Sequence, residues 1–176
     1  SCSALTTVNF PAAKIIGNTA FGSCSALTTV GFPAVSSIGT GAFMYCRALT
    51  TASFPATVIV NQAAFRSCSA LTSITCPVAE IIYDNAFLDC VALPMLSLPV
   101  VSTIRQSAFI GCIALSSIYL GSQRVCTLGN SNAFTGTAIT PTTGSIYVPT
   151  SLVASYQSAT NWAYFSNRIF GYAFDA

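Results

Sequence analysis

Six cysteines recur at a fixed step: Cys2, Cys24, Cys46, Cys68, Cys90 and Cys112 stand 22 positions apart. Cysteine at regular spacing can hold a metal, form disulfides, act as a nucleophile or fill a core. A structural metal needs thiolates at the corners of a tetrahedron, whereas equal steps put one sulfur per repeat in a row. Disulfides between rungs of that row would have Cα atoms about 4.8 Å apart, an allowed distance. Parallel side chains keep the Cβ atoms at the same separation, beyond the roughly 3.5–4.5 Å a bridge requires. The favoured reading is a column of buried free thiols acting as small hydrophobes beside Phe and Leu. Bridges after a small backbone shift are the alternative, since eight cysteines is an even count and a surface location would favour disulfides. Cys76 replaces an inward Phe of its own repeat and fits the buried reading, while Cys126, in an insertion, is expected to be exposed.

Catalytic chemistry has little to build on. The chain has no histidine, which removes Ser-His-Asp and Cys-His activation as usually built. A Ser-Lys pair would have to use Lys14, the only lysine, in a variable loop position. The carboxylates are Glu80, Asp84, Asp89 and Asp175; the first three fall around one repeat, and a glycosidase would need two of them converging in a cleft. Their loop and turn positions read as solvated charges. There is no phosphate-binding glycine loop or dinucleotide fingerprint, and neither metal nor cofactor is expected.

Composition narrows the class further. Hydrophobic residues make up 53% and charged residues 6% of the 176 positions, with mean hydropathy +0.68. No uninterrupted apolar run reaches the ~18 residues of a membrane span. Six basic and four acidic residues are scattered, leaving no footprint for nucleic acid or anionic lipid. No signal peptide is visible, and because the chain begins inside a repeat it is expected to be a piece of a longer array, with any targeting signal upstream.

The elements that position these residues follow from the same period. Leu5, Leu27, Leu49, Leu71, Leu93 and Leu115 keep the 22-residue step, as do Phe21, Phe43, Phe65, Phe87 and Phe109, and Pro11, Pro33, Pro55, Pro77 and Pro99. A fixed period in the twenties is the signature of a solenoid, whose coils are each too small to bury their own apolar face. The segment L-T-T-V-x-F alternates as a strand, with Val8 and Phe10 inward and Thr7 and Asn9 outward, and proline ends it. The A-F-x-x-C stretch suits one turn of 3₁₀ or α-helix on the opposite side. Between them, Ile16, Ile38, Val60, Ile82 and Ile104 lie on an irregular return. The expected fold is therefore an α/β solenoid of about seven 22-residue coils, with one parallel β-sheet face, short helical turns opposite and a rod on the order of 30 Å long.

The period falters after Leu120, where residues 121–133 carry an insertion. Residues 1–149 are read as the solenoid and 150–176 as a capping segment. There Leu152, Val153 and Tyr156, then Trp162, Phe165 and Ile169, follow helical spacing, with Ser151 and Thr160 as N-caps. The single Trp is read as a plug under this lid, with a ligand pocket beneath it as the alternative.

On the outward strand face, Thr7, Thr29, Thr51, Ser73 and Ser117 form one column, interrupted by Met95. Asn9, Gly31, Ser53, Thr75, Ser97 and Tyr119 form the next. All ten charges lie outside these strands. Threonine favours strands and hydroxyls solvate a sheet, so the columns have a purely structural reading. The functional reading is a flat, uncharged docking surface with Thr7, Asn9, Thr29, Thr51, Ser53, Ser73, Thr75, Ser97, Ser117 and Tyr119 as candidate ligand-binding residues. The columns are too mixed for an ice-binding array.

The recurring A-F-x-x-C-x-x-L-x-x-I-x-x-P unit resembles the BspA-type leucine-rich repeats of bacterial surface proteins. The tail "SIYVPTSLVASYQSATNWAYFSNRIFGY" resembles the closing segment of such proteins in gut Firmicutes and their prophages. Proline after the strand and the lack of an asparagine ladder set the unit apart from the general leucine-rich pattern. The resemblance implies a leucine-rich repeat fold and extracellular surface display. It implies non-enzymatic binding to a protein or glycan on a host or another cell. A phage tail-associated receptor-binding protein and a structural spacer are the alternatives.

Overall fold

The computed structural model describes residues 2–139 and 143–174. Asp175 lies outside them. Each of six successive coils contributes two short strands, in chain order β1 (Thr7–Asn9) and β2 (Ile15–Ile16), β3 (Thr29–Gly31) and β4 (Ser37–Ile38), β5 (Thr51–Ser53) and β6 (Ile59–Val60), β7 (Ser73–Thr75) and β8 (Ile81–Ile82), β9 (Met95–Leu98) and β10 (Thr103–Ile104), β11 (Ser117–Leu120) and β12 (Thr127–Leu128). Strand β13 (Ser145–Pro149) and the final strand β14 (Ile169–Tyr172) complete the set. All described strand pairs are parallel, and within the ladders β1-β3-β5-β7 and β2-β4-β6-β8-β10 the register advances by one repeat, for example Thr7 opposite Thr29 and Ile59 opposite Ile81.

The strand face is divided into two four-stranded sheets, β1-β3-β5-β7 and β9-β11-β13-β14. A proline stands at the seam. Just before each strand, Thr28, Thr50 and Thr72 donate their backbone N–H to the carbonyl of Thr6, Thr28 and Thr50, and their hydroxyls to the same oxygens at 3.0–3.3 Å. The next position in this register is Pro94, which has no N–H to give. The pattern resumes with Ser116, whose N–H and hydroxyl both reach Pro94 O.

The return segment is ordered rather than irregular. Strands β2, β4, β6, β8, β10 and β12 form a six-stranded parallel ladder whose inward members Ile16, Ile38, Val60, Ile82, Ile104 and Leu128 are buried. The insertion is absorbed around it. Thr127 pairs with Thr103 with two residues more than the period, and one further residue precedes Phe134, on the short 3₁₀ turn Ser131–Phe134.

The A-F-x-x-C stretch also departs from expectation, because in the first five coils it is no helix. Backbone N–H groups alternate in direction. Ala64, Arg66 and Cys68 bond three residues back, while Ala63, Phe65 and Ser67 bond to Asp84, Ala86 and Leu88 of the next coil. This alternation requires two left-handed residues per coil, at Thr19 and Ser23, Gly41 and Tyr45, Ala63 and Ser67, Asn85 and Asp89, and Ser107 and Gly111. Only Gly41 and Gly111 adopt that backbone without a steric cost. At the others, the hydrogen bonds to the neighbouring coil hold the conformation.

The core is a set of columns running along the rod. Phe21, Phe43, Phe65, Phe87, Phe109 and Phe134 stack with ring centroids 5.2–5.5 Å apart and planes within 11°. Phe32 and Phe54 form a second short stack beside them, and Cys76, Leu98 and Leu120 continue its position. Phe10, expected inward, is 54% exposed. Phe10 touches the core by stacking on Phe32 at 6.4 Å.

The closing segment is only partly helical. A 3₁₀ turn (Thr150–Leu152) leads into α1 (Val153–Ser158), and a second 3₁₀ run (Ala163–Arg168) leads into β14. Neither Ser151 nor Thr160 is an N-cap. Ser151 lies inside the first turn, Leu152 and Trp162 occupy the cap positions of the later helices, and neither makes a side-chain capping bond. Ile169, assigned to a helical face by spacing, begins β14, which pairs with β13 and extends the strand face by one rung. Among the described residues no helix is long and apolar enough to cross a membrane.

Candidate functional site

The outward strand residues are brought into the two columns their spacing predicts. Thr7, Thr29, Thr51 and Ser73 are in register, as are Asn9, Gly31, Ser53 and Thr75, and all eight are exposed. Across the seam, Met95 pairs with Ser117 and Ser97 with Tyr119; Ser117 and Tyr119 are half-buried. No charged residue lies on any described strand. The face is therefore a flat array of hydroxyls and one amide on the first sheet, giving way to aromatic groups on the second.

Those aromatic groups were largely missed. Tyr147 lies opposite Tyr119 and stacks on it at 4.6 Å. Tyr172 stands edge-on to both, 5.2 and 5.8 Å away, and touches Phe174 at 5.0 Å. Phe170 lies 6.3 Å from Tyr147. The alternation in Ser145–Pro149 was a sufficient signal for Tyr147, whereas Phe170 and Tyr172 were hidden by the helical reading of their segment. Met95, Ser97, Tyr119, Tyr172 and Phe174 border a cleft of about 260 Å³.

The cysteine column is free of bridges, and its members Cys24, Cys46, Cys68, Cys90 and Cys112 are buried while Cys2, in the first coil, is exposed. The thiols do more than fill space. Cys46, Cys68, Cys90 and Cys112 donate their S–H to the carbonyl oxygen of Phe21, Phe43, Phe65 and Phe87 of the preceding coil, at 3.0–3.2 Å. Each of those oxygens already accepts the N–H of the cysteine three residues later, so the thiol satisfies its second lone pair. Burial pushes the Cys46 thiol up to about 11 and that of Cys112 up to about 12, and it raises Cys68 and Cys90 as well. These sulfurs are protonated at neutral pH and are poor nucleophiles. Among the described residues no group of His, Cys, Asp or Glu is arranged to hold a metal.

Cys126, expected to be exposed, is buried. The cap covers it: its N–H donates to Tyr156 Oη at 2.9 Å, and its carbonyl accepts Trp162 Nε1–H at 2.6 Å. Desolvation pushes the Cys126 thiol and the Tyr156 phenol each up to about 12. Trp162 itself is buried, packed on Phe134, Tyr156 and Phe165 at 5.3–6.4 Å. A cleft of about 390 Å³ opens beside it, between the Val125–Gly129 loop and Ala159–Trp162. The carboxylates do not converge there. Glu80 and Asp89 are exposed, and Asp84 borders a shallow cleft with Arg105, Gln106 and Gly129.

Stacked parallel coils, one leucine column, one phenylalanine column and an open uncharged strand face define a leucine-rich repeat protein. The chain belongs to the family of the BspA type leucine rich repeat region, whose sequence pattern matches residues 1–93 and 80–159 in six copies. Three solved structures are similar to it. A leucine-rich repeat protein from Bacteroides ovatus has a TM-score of 0.76 at 22% identity, covering 97% of this chain and 43% of its own. The leucine rich repeat protein of T. pallidum has a TM-score of 0.59 at 30% identity, covering 61% of this chain and 52% of its own. A leucine rich cell surface protein from Faecalibacterium prausnitzii has a TM-score of 0.50 at 25% identity, covering 69% of this chain and 41% of its own. The chain thus matches about half or less of the length of each. No curated protein matches the sequence.

Proposed function

We propose that this chain is a non-enzymatic binding module displayed at a bacterial cell surface, recognising a protein or glycan on a host or another cell through its outward strand face. One observation carries the reading: the face runs through two four-stranded sheets, presents hydroxyls in register and bears none of the described charges. A solenoid offers such an extended surface on a scaffold that each neighbouring coil keeps rigid, so little ordering cost accompanies binding. The likeness to a leucine rich cell surface protein of Faecalibacterium prausnitzii supports the location.

The test is a screen of the purified chain against immobilised glycans and extracellular host proteins, with a variant carrying Thr29→Lys, Thr51→Lys and Ser73→Lys beside it. These positions are exposed, so the substitutions leave packing intact while setting three like charges on adjacent rungs. The reading expects ligands found in the screen to be lost from the variant. Unchanged binding by the variant would move recognition to the loops or the cap.

A further inference from the structure

We infer that the cleft beside Tyr119 is a subsite for one ring of a neutral glycan. The inference rests on the binding role proposed above and names the ligand class for one part of the same face. In the outward column Tyr119 has two ladder partners, Tyr147 on one side and Ser97 on the other. Tyr147 covers one ring face by parallel stacking at 4.6 Å and 17°. Ser97 is too short to cover the other, and the residues around the resulting opening are Met95, Ser97, Tyr119, Tyr172 and Phe174. Its volume of about 260 Å³ is enough for one six-membered sugar ring.

The chemistry of the walls selects the occupant. The π face of a tyrosine is electron-rich and attracts the partly positive axial C–H groups of a pyranose. Tyr172, edge-on at 78° to Tyr119, walls one side. Ser97 Oγ and the Tyr119 and Tyr172 phenols have no hydrogen-bond partner among the described residues, and are available to sugar hydroxyls. An apolar side chain would leave these groups unpaired, and an acidic ligand would find no counter-charge on the strands. The pocket is also preformed. Phe174 lies across Gly121, where a Cβ would stand 2.9 Å from its ring and 3.0 Å from Pro99, so this backbone position admits the ring only as glycine.

The experiment uses the whole chain, with isothermal titration and saturation-transfer NMR. Cellotetraose, mannotetraose and lacto-N-tetraose are the neutral probes, and sialyllactose is the acidic one. At least one neutral probe is expected to bind, with saturation transferred to the C–H groups of a sugar ring. Ser97→Tyr extends a column that already carries two tyrosines, so it closes the cleft without disturbing the strand, and it is expected to weaken that binding at least about tenfold. Tyr119→Ala removes the stacking face and is expected to do the same. Absence of binding by every neutral probe, tighter binding of sialyllactose, or unchanged affinity in Ser97→Tyr would each overturn the assignment. The two readings fail separately. A protein ligand that is lost from the triple lysine variant, with no oligosaccharide bound, leaves the binding face standing and removes the sugar subsite.

Discussion

At the scale of single residues, the cysteines have the clearest physical consequence, because burial has changed their acid chemistry. In the unfolded chain these thiols titrate near 9.0, whereas in the folded chain Cys46 is pushed up to about 11 and Cys76, Cys112 and Cys126 up to about 12. Between pH 9 and 12 the unfolded state has released protons that the folded state still holds, so stability falls as pH rises through that window. Each thiol in this condition contributes a slope of about 1.4 kcal/mol per pH unit. Urea midpoints measured under reducing conditions should therefore be level between pH 7 and 8 and drop steeply by pH 10.5. A midpoint unchanged at pH 10.5 would show that the column is hydrated. In the same protein at pH 8, a thiol reagent should modify Cys2 rapidly and the buried seven only on unfolding. The column itself was legible because its spacing is strictly periodic. Its hydrogen bond to the phenylalanine carbonyl was not, since that contact depends on how adjacent coils are offset. Cys126 was misjudged because its cover, Tyr156 and Trp162, arrives from 30 and 36 residues downstream.

At the scale of elements, alternation exposed the three- and four-residue strands, and a two-residue strand such as β6 has too little alternation to register. The helical reading of the closing segment fits its 3₁₀ run, but Ile169–Tyr172 is a strand because β13 offers an unpaired edge beside it. The turn conformation was hidden for a different reason: eight of its ten left-handed residues are not glycine, and only the ladder of bonds between coils determines them. The seam between the two sheets yields a direct test. If Pro94 alone withholds a donor from Thr72 O, then Pro94→Thr supplies both an N–H and a hydroxyl, as Thr72 does toward Thr50. The variant should gain about 1 kcal/mol in urea unfolding, and its new amide should exchange as slowly as that of Thr72. A rapidly exchanging amide with no gain in stability would place the cause of the seam elsewhere, in the path of the chain between Cys90 and Pro94.

At the scale of the whole molecule, stability is a sum over coils and the interfaces between them, so the ends decide where unfolding begins. At the cap, Trp162 terminates the phenylalanine stack at Phe134, packs edge-on to Tyr156 and ties the insertion to the cap through Cys126 O. Removing this side chain leaves a large cavity and an unpaired carbonyl, a loss of about 3–5 kcal/mol. In a globular core that loss is shared by every amide at once. In a solenoid it falls on the last interface, so Trp162→Ala should fray the molecule from one end. Hydrogen exchange should accelerate most in residues 127–172 and progressively less toward β5, whose neighbours on both sides are intact. Trp162→Phe, which keeps an aromatic ring but loses the Nε1–H donor, should show the same gradient with a smaller amplitude. Equal loss of protection in every coil would mean that the array unfolds as one cooperative unit, and the terminal tryptophan would then be a core residue like any other rather than the latch of the last coil.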